Sequence, residues 1–475
     1  MEFEHESLDV LPDEMVQEII GQLGVIRSYD TQFKYTKHQK DGVLEANRQY
    51  ENQIRRLALY NLCLTSRRLR RLANPILYAS FIGTATEHGT ETLQLWRERV
   101  LDRSGSGEEL NKYLKYVEIR RMDKWCQNDN IPPHIIAQHY LTVLADVVKQ
   151  APNLQHLSIE NIEDHERSFW KHLVLEQDTS PSSAPKPVAE HVFSKLRTLC
   201  VHTATRGYYM DDRTMSFPQI CPYISTAPML NDFRACGVAS HPSESMPQLG
   251  CWNTLQRLEI TECFLEIESV ASVLSACEGL RHVVCTWNSL EDVEGRPSDL
   301  YASLLRHAET LEFLHLDLRE LMFRSEEDSD SNLAEEDEGY ADQVLLEPLG
   351  TLRPFERLSE LILSQNCLLG VFPPYGDFPE SASPIAELLS RSITNFTMLL
   401  GYESLHRVGY KSMDESSYLW DLVSGCRPSD LSLQDLSFRA KHKLSEAPEL
   451  TQAFLDVGVR YEQVMEQSFI HEAFR

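Results

Sequence analysis

A short apolar pattern, leucine followed at the fourth and sixth positions by further apolar residues, recurs along the chain from residue 114 onward. Clear copies are LKYVEI at 114–119, LQHLSI at 154–159 and LEFLHL at 311–316. Ten copies begin at residues 114, 154, 196, 230, 255, 280, 311, 358, 405 and 433. Alternate residues of a strand point to opposite faces, so the fourth and sixth positions of each copy share one buried face. One such strand cannot bury its own apolar face, which predicts that successive units stack side by side.

Helical stretches precede several copies, for example at 135–150, 270–276 and 300–307. Strands that alternate with helices lie parallel in one sheet. We therefore expect an α/β fold. The repeat unit resembles the leucine-rich repeat, which implies a degenerate horseshoe with parallel strands on its concave face and helices outside. An ordinary α/β sandwich is the alternative that the pattern leaves open.

A different pattern opens the chain. Residues 11–23 (LPDEMVQEIIGQL) predict a short helix, with Pro12 at its first position and Asp13 and Glu14 at the positive end of its dipole. Gly24 is a suitable end for this helix. Its apolar residues form one stripe, at Met15, Val16, Ile19, Ile20 and Leu23.

A second apolar block follows at 57–81 (LALYNLCLTSRRLRRLANPILYASF). Thr65 or Ser66 is placed to cap a new helix, and Asn74 with Pro75 is expected to end it. Together the two blocks resemble the F-box, and with the repeats the chain resembles fungal-type F-box proteins with leucine-rich repeats. The resemblance implies a three-helix module that docks on a Skp-type adaptor and, through it, on a cullin–RING ubiquitin ligase.

The residues that would contact the Skp-type adaptor follow from that resemblance: Leu11, Pro12, Met15, Ile19, Ile20, Leu23, Leu59, Leu62, Leu64, Arg67, Leu69 and Leu72. Residues 25–56 depart from the family, in which the two blocks are joined by a short link. We interpret this polar stretch as a surface insertion that loops out, with the option that the second helix extends backwards to about Gly42. A reading without docking treats these helices as a cap on the repeats.

The expected organisation is an F-box module at 1–82 with its insertion at 25–56, a linker or helical connection at 83–110, repeats at 111–445 and a helical cap at 446–475. Loops rich in Ser and Pro, and in acids, interrupt the repeats at 176–188 and 325–342. Eleven basic and eleven acidic residues lie in 1–82, so the net charge of −27 lies beyond residue 82. Such a charge disfavours nucleic acid and anionic membrane as partners.

Catalytic motifs are missing from the sequence. It contains no G-x-x-x-x-G-K-[ST], H-E-x-x-H or G-x-S-x-G sequence, and none of its eleven cysteines forms a C-x-x-C pair. We therefore expect a non-catalytic protein without a metal or cofactor, and, since its N-terminus is acidic and not apolar, a cytoplasmic or nuclear one.

Residues that alternate with the core positions of each strand should line the concave face and bind a protein substrate. They are His156, Ser158, Thr198, Arg257, Glu259, His282, Phe313, His315, Glu360 and Arg407. The resemblance implies an adaptor that brings this substrate to the ubiquitin ligase. The alternative is a repeat scaffold that binds partners without directing ubiquitin transfer.

Overall fold

The computed structural model is a mixed α/β protein. It describes residues 11–28, 42–101, 110–120, 133–160, 169, 193–202, 217–225, 227–240, 252–288, 290–293, 295–319, 321–323, 347–369, 385–400, 415–426, 431–440 and 447–465. The chain divides into two compact units. Unit 1 comprises Met1–His202 with Ala227–Leu230, and unit 2 comprises Thr203–Thr226 with Asn231–Arg475.

Unit 1 begins with three helices and continues into parallel strands. Its elements are α1 (Asp13–Gly21), α2 (Gly42–Thr65), α3 (Arg67–Leu77), β1 (Ser80–Thr84), α4 (Glu87–Leu101), a 3₁₀ turn (Leu110–Tyr113), β2 (Tyr116–Arg120), α5 (Pro133–Lys149), β3 (His156–Glu160) and β4 (Thr198–His202). The strands pair in chain order, β1 with β2, β2 with β3 and β3 with β4, all parallel.

Unit 2 repeats the same scheme with more strands. Its elements are α6 (Phe217–Ile224), β5 (Asp232–Cys236), β6 (Arg257–Cys263), α7 (Ile267–Ala276), β7 (His282–Trp287), β8 (Leu290–Val293), α8 (Pro297–Leu305), β9 (Phe313–Asp317), β10 (Leu321–Phe323), β11 (Glu360–Ser364), α9 (Gln365–Leu369), α10 (Ile385–Leu388), β12 (Asn395–Leu399), α11 (Glu415–Gly425), β13 (Asp435–Ala440), α12 (Ala447–Asp456) and β14 (Arg460–Met465). Strands β5, β6, β7, β9, β11, β12, β13 and β14 are parallel neighbours in that order, and β8 pairs with β10 separately.

The repeated pattern corresponds to these strands. In nine of the ten copies the strand begins at the third position of the pattern, as in β2, β6 and β9. The fourth position of each of these copies is at most 1% exposed, at Val117, Leu157, Leu199, Phe233, Leu258, Val283, Leu314, Leu361 and Leu436. Alternation therefore sends these side chains into the core, as predicted. The tenth copy, at 405–410, lies outside the described residues.

Five strands, β1, β8, β10, β12 and β14, were missed because their sequences lack the leading leucine. In β12 the place of that leucine is taken by Ile393, which is buried, as are Phe396 and Met398 of the strand. Strand β1 crosses the expected boundary at residue 82, and α4 occupies most of the expected connection at 83–110. The expected helical cap at 446–475 contains helix α12 but then continues into strand β14.

Two expectations about the N-terminal helices are wrong in detail. Helix α1 ends at Gly21 and not at Gly24. A turn follows it, in which the Gly24 N–H donates to the Gly21 carbonyl. Helix α3 passes through Pro75 and ends at Leu77. A proline in the last turn of a helix forfeits only one hydrogen bond, which the buried residues Leu72 and Ala73 offset by packing. Ser66 caps α3 as predicted, since its hydroxyl accepts a hydrogen bond from the Leu69 N–H at 3.1 Å.

The described parts of the stretch 25–56, residues 25–28 and 42–56, are not looped out. Helix α2 begins at Gly42, so the second helix does extend backwards, and residues 24–28 pack between α2 and the strands of unit 1. Residues 29–41 lie outside the described part of the chain, as do both interrupting loops at 176–188 and 325–342.

Candidate functional site

Helices α1, α2 and α3 share a small apolar core of their own. It consists of Val16, Ile20, Leu59, Leu72 and Ala73, with partly buried neighbours around it. Asp13 joins α1 to α3, because its carboxylate accepts hydrogen bonds from Arg68 at 2.7 Å and from Arg71. The hydrogen bond from Arg68 and the charges of both arginines lower the pKa of Asp13, against the effect of desolvation.

The residues expected to contact a Skp-type adaptor divide into three groups. Ile20, Leu59 and Leu72 are buried in the helical core. Leu11, Leu23, Leu62 and Leu69 pack partly against that core. The exposed group, which is free to meet a partner chain, comprises Pro12, Met15, Ile19, Leu64 and Arg67.

A row of exposed apolar residues runs along α2. Successive positions lie 3 or 4 residues apart and so fall on one side of the helix. We call this row the α2 stripe: Tyr50, Ile54, Leu57, Tyr60 and Leu64. Every member is at least 46% exposed. The sequence interpretation assigned only Leu64 of this stripe to docking, whereas the structure places the other four on the same exposed side of the helix. Met15 and Ile19, each 52% exposed, add two apolar residues on α1.

The opposite side of α2 holds residues 24–28, which we call the strap. The Asn52 side chain pairs with both backbone groups of Ile26, accepting from its N–H at 2.8 Å and donating to its carbonyl at 2.9 Å. Arg48 donates to the same carbonyl at 2.8 Å. Arg55 donates to the carbonyls of Gly24, at 2.8 Å, and Gln22. Three α2 side chains thus hydrogen-bond to the strap backbone at Gly24 and Ile26.

The strap also contacts the polar face of β2 and β3. The Ser28 N–H donates to the Tyr116 hydroxyl at 3.1 Å, and the Ser28 and Ser158 hydroxyls are 3.2 Å apart. Arg27 Nη1 lies 2.8 Å from His156 Nε2. Because a guanidinium can only donate, this imidazole nitrogen accepts.

A buried ion pair joins α2 directly to β2. The Arg48 guanidinium donates to both oxygens of Glu118, at 2.7 and 3.0 Å, and the two side chains are 1% and 0% exposed. Arg120 and the Tyr116 hydroxyl also donate to this carboxylate. Desolvation raises the pKa of Glu118, but the hydrogen bonds and charge of Arg48 outweigh it, and the net pKa is lowered. Burial, followed by the charge of Glu118, raises the pKa of Tyr116.

Three predicted substrate residues lie at or beside these contacts. His156 and Ser158 contact the strap, and Thr198 is buried beside His156, 3.1 Å from its Nδ1. The structure therefore brings these three residues together, but under a segment of the same chain. The strap (GVIRS) has only five residues, too few to show an apolar periodicity, which is why its position could not be predicted.

In unit 2 we call one side of the strands the polar strand face. Its residues are partly exposed: Arg257, Glu259, His282, Phe313, His315 and Glu360. Glu259 lies at the centre of a charged cluster, 2.7 Å from Arg257, 3.1 Å from His282 and 3.7 Å from Arg234. Burial raises the pKa of Glu259, but the nearby His282 imidazole and the charges of the two arginines prevail and lower it to about 2. Glu259 thus remains ionised, and it neutralises part of the positive charge around it.

The cluster continues into an aromatic pair. The rings of His282 and Phe313 stack with centroids 4.2 Å apart and an interplanar angle of 10°. The paired register of the strands sets Arg257, His282, Phe313 and Glu360 in one row across the sheet. His315 occupies the next row, and it too is partly exposed. Arg407, the last residue expected on this face, lies outside the described residues.

The same rows lead to a cavity of about 400 Å³ at strands β12, β13 and β14. Its walls include Asn395, Thr397, Ser437 and Glu462, together with Arg460, which pairs with Asp435 at 2.6 Å. No residue of this cavity was predicted as a site: β12 and β14 were not recognised as strands, and the outward residues of β13 were not included among the expected substrate residues. The register of β11 with β12 would have identified Asn395 and Thr397.

Within the described ranges, no three His, Cys, Asp or Glu side chains are grouped so that they could hold a metal ion. Over the same ranges, no helix is both long enough and apolar enough to cross a membrane. The sequence matches no protein-family model, and no curated protein resembles it significantly.

Proposed function

We propose that this chain is a substrate-recognition adaptor of an SCF-type (Skp–cullin–F-box) ubiquitin ligase. The α2 stripe, with Met15 and Ile19 of α1, would bind the Skp-type adaptor, and the polar strand face would bind a protein substrate. In this proposal the first three helices are an F-box, and the parallel strands belong to a degenerate leucine-rich-repeat horseshoe.

The observation that carries the proposal is the exposure of the α2 stripe. Five large apolar side chains on one helical face are exposed in the described part of the chain. Contiguous exposed apolar residues of this kind mark protein interaction sites. A helical face with anchors 3 and 4 residues apart is the kind of surface that packs against partner helices. Its position, on helices that directly precede the parallel strands, is that expected of a docking module ahead of a repeat domain.

The polar strand face supports the substrate half of the proposal. In unit 2 it offers charged, imidazole and aromatic groups in register, from Arg257 and Glu259 to His282 and Phe313. Aromatic and arginine side chains are the residue types that contribute most binding energy at protein interfaces. The partners proposed are therefore a Skp-type adaptor, a cullin through that adaptor, and one protein substrate.

Binding of the purified full-length chain to a Skp-type adaptor tests the docking half. Leu64→Asp places a charge in the stripe, and we expect at least a tenfold loss of affinity. Leu95→Asp is the matched control, because Leu95 lies on α4 and is 68% exposed, as is Leu64. The proposal fails if the wild-type chain does not bind, or if both variants bind as the wild type does.

A reconstituted ubiquitin ligase distinguishes the adaptor from a scaffold. We expect the chain, the Skp-type adaptor and a cullin to co-purify as one complex that transfers ubiquitin to a bound protein. Binding of the Skp-type adaptor without a cullin would instead support the scaffold.

A further inference from the structure

Helix α2 carries two different surfaces on opposite sides. The α2 stripe lies on one side, and Arg48, Asn52 and Arg55 lie on the other, at spacings of 4 and 3 residues. At 100° per residue these three positions cluster about 180° from the centre of the stripe. The helix has 24 residues, and at 1.5 Å per residue it is about 36 Å long. One rigid element therefore joins the exposed stripe to the strap and to the first strands.

The contacts on the inner side are of the kind that fix direction as well as distance. A bidentate pair between a guanidinium and a carboxylate restricts the rotation of both groups. The Arg48–Glu118 pair is bidentate and shielded from water. Asn52 adds a second paired contact, since it binds both the N–H and the carbonyl of Ile26. Two such contacts, four residues apart along α2, leave the helix little freedom to pivot on the sheet.

We propose that Arg48, Asn52 and the strap are positioning elements that hold α2, and with it the α2 stripe, in a fixed orientation on the parallel strands of unit 1. A partner bound to the stripe would then be held at a fixed distance from the sheet of this unit. The use of this coupling between α2 and the strands rests on the proposed function, but the coupling itself is a property of the free chain. It can therefore be tested without any partner.

The proposal also explains why the polar face of β2 and β3 is occupied by the strap. His156, Ser158 and Tyr116 are held by strap residues and so serve the coupling rather than a ligand. Within the proposed function, substrate recognition then falls to the polar strand face of unit 2.

The test is a distance distribution measured by pulsed electron resonance on the full-length chain. Spin labels are attached through non-canonical amino acids, because the chain has eleven cysteines. One label replaces Tyr60 on α2 and the other replaces Gln138 on α5, both exposed positions of unit 1. We expect a narrow distribution in the wild type, and a distribution at least twice as wide in Glu118→Gln.

Two further variants separate positioning from plain stability. Arg48→Lys keeps the charge but cannot form the bidentate pair, so we expect the distribution to widen although the chain stays folded. Asn52→Ala leaves no buried charge behind, and should raise the exchange rate of the Ile26 amide at least tenfold. These two variants keep the test valid if Glu118→Gln does not fold.

The matched control is Asp146→Asn, which removes the pair between Arg97 and Asp146. That pair joins α4 to α5 in the same unit and has the same chemistry, but its side chains are 40% and 46% exposed. We expect it to leave the distribution unchanged. The proposal is overturned if Arg48→Lys retains the wild-type width, or if the exposed control Asp146→Asn widens the distribution as much as Arg48→Lys does.

Discussion

Replacing Glu259 by glutamine should change how the stability of unit 2 depends on pH. The pKa of Glu259 is lowered from 4.5 to about 2. A carboxyl with a lowered pKa stabilises the folded state above its unfolded pKa, and this stabilisation is lost as the pH falls towards the folded pKa. At ~1.4 kcal/mol per pKa unit, the ionised carboxylate contributes about 3 kcal/mol to the free energy of unfolding at neutral pH, of which about 2 kcal/mol is lost by pH 3.

The assay is urea unfolding of the wild type and Glu259→Gln between pH 7 and pH 3, followed by tryptophan fluorescence. Trp252 and Trp287 are buried in unit 2 and so report on its unfolding. Other carboxyls titrate in the same window, so the informative quantity is the difference between the two proteins. We expect that difference to be about 2 kcal/mol smaller at pH 3 than at pH 7.

The control for this experiment is Glu312→Gln, which removes an exposed partner of Arg281 at 3.5 Å. An exposed pair is worth at most about 1 kcal/mol, so its removal should shift the unfolding curves little at either pH. The reasoning is refuted if Glu259→Gln loses stability in parallel with the wild type across the whole range. In that case the arginines and His282 do not hold the carboxylate in its charged form.

Three further predictions concern unit 1 and the core. Arg48→Met should lower the free energy of opening of the β2 amides by about 3 kcal/mol, because it leaves Glu118 buried with only part of its hydrogen-bond donors. The double variant Arg48→Met/Glu118→Leu should recover most of this loss. Hydrogen exchange measures both, and a double variant no more stable than the single one would contradict the buried-pair argument. Ser66→Ala should cost about 1 kcal/mol through the lost cap of α3, measured by exchange of the α3 amides, with Ser66→Thr as the control that keeps the cap; equal losses in the two variants would exclude capping as the cause. Leu314→Ala should destabilise unit 2 by about 3 kcal/mol in urea, since Leu314 is fully buried, whereas Leu305→Ala on exposed α8 surface should cost well under half as much; similar costs would count against the strand parity.

The parallel strands were predictable because their information is local. Leu157 and Ile159 of β3 lie on one face by the two-residue period of a strand, and burial of that face requires apolar residues at those positions. The same rule failed at β12, where isoleucine replaces the leading leucine although the position is equally buried. A rule based on apolar character in general would have included it.

The α2 stripe was predictable in part for a similar reason. Its spacing is visible in the sequence once the helix is known to begin at Gly42. The sequence does not distinguish which apolar residues of α2 face the helical core and which face outwards. Leu59 is buried and Tyr60 is exposed, and packing against α3 and Ile20 decides between them.

The amino-acid sequence by itself determined the strand positions, their inward and outward residues and the two helical blocks at the start, because each depends on apolar periodicity within a few residues. Only the tertiary structure decided three contacts. Residues 24–28 cover the polar face of β2 and β3, Arg48 pairs with Glu118, and Glu259 lies close to Arg234, Arg257 and His282. Arg48 and Glu118 are 70 positions apart, and polar side chains carry no periodicity that indicates a distant partner. Such pairs form only when the backbone brings them together and water is excluded around them, which is a property of the assembled fold.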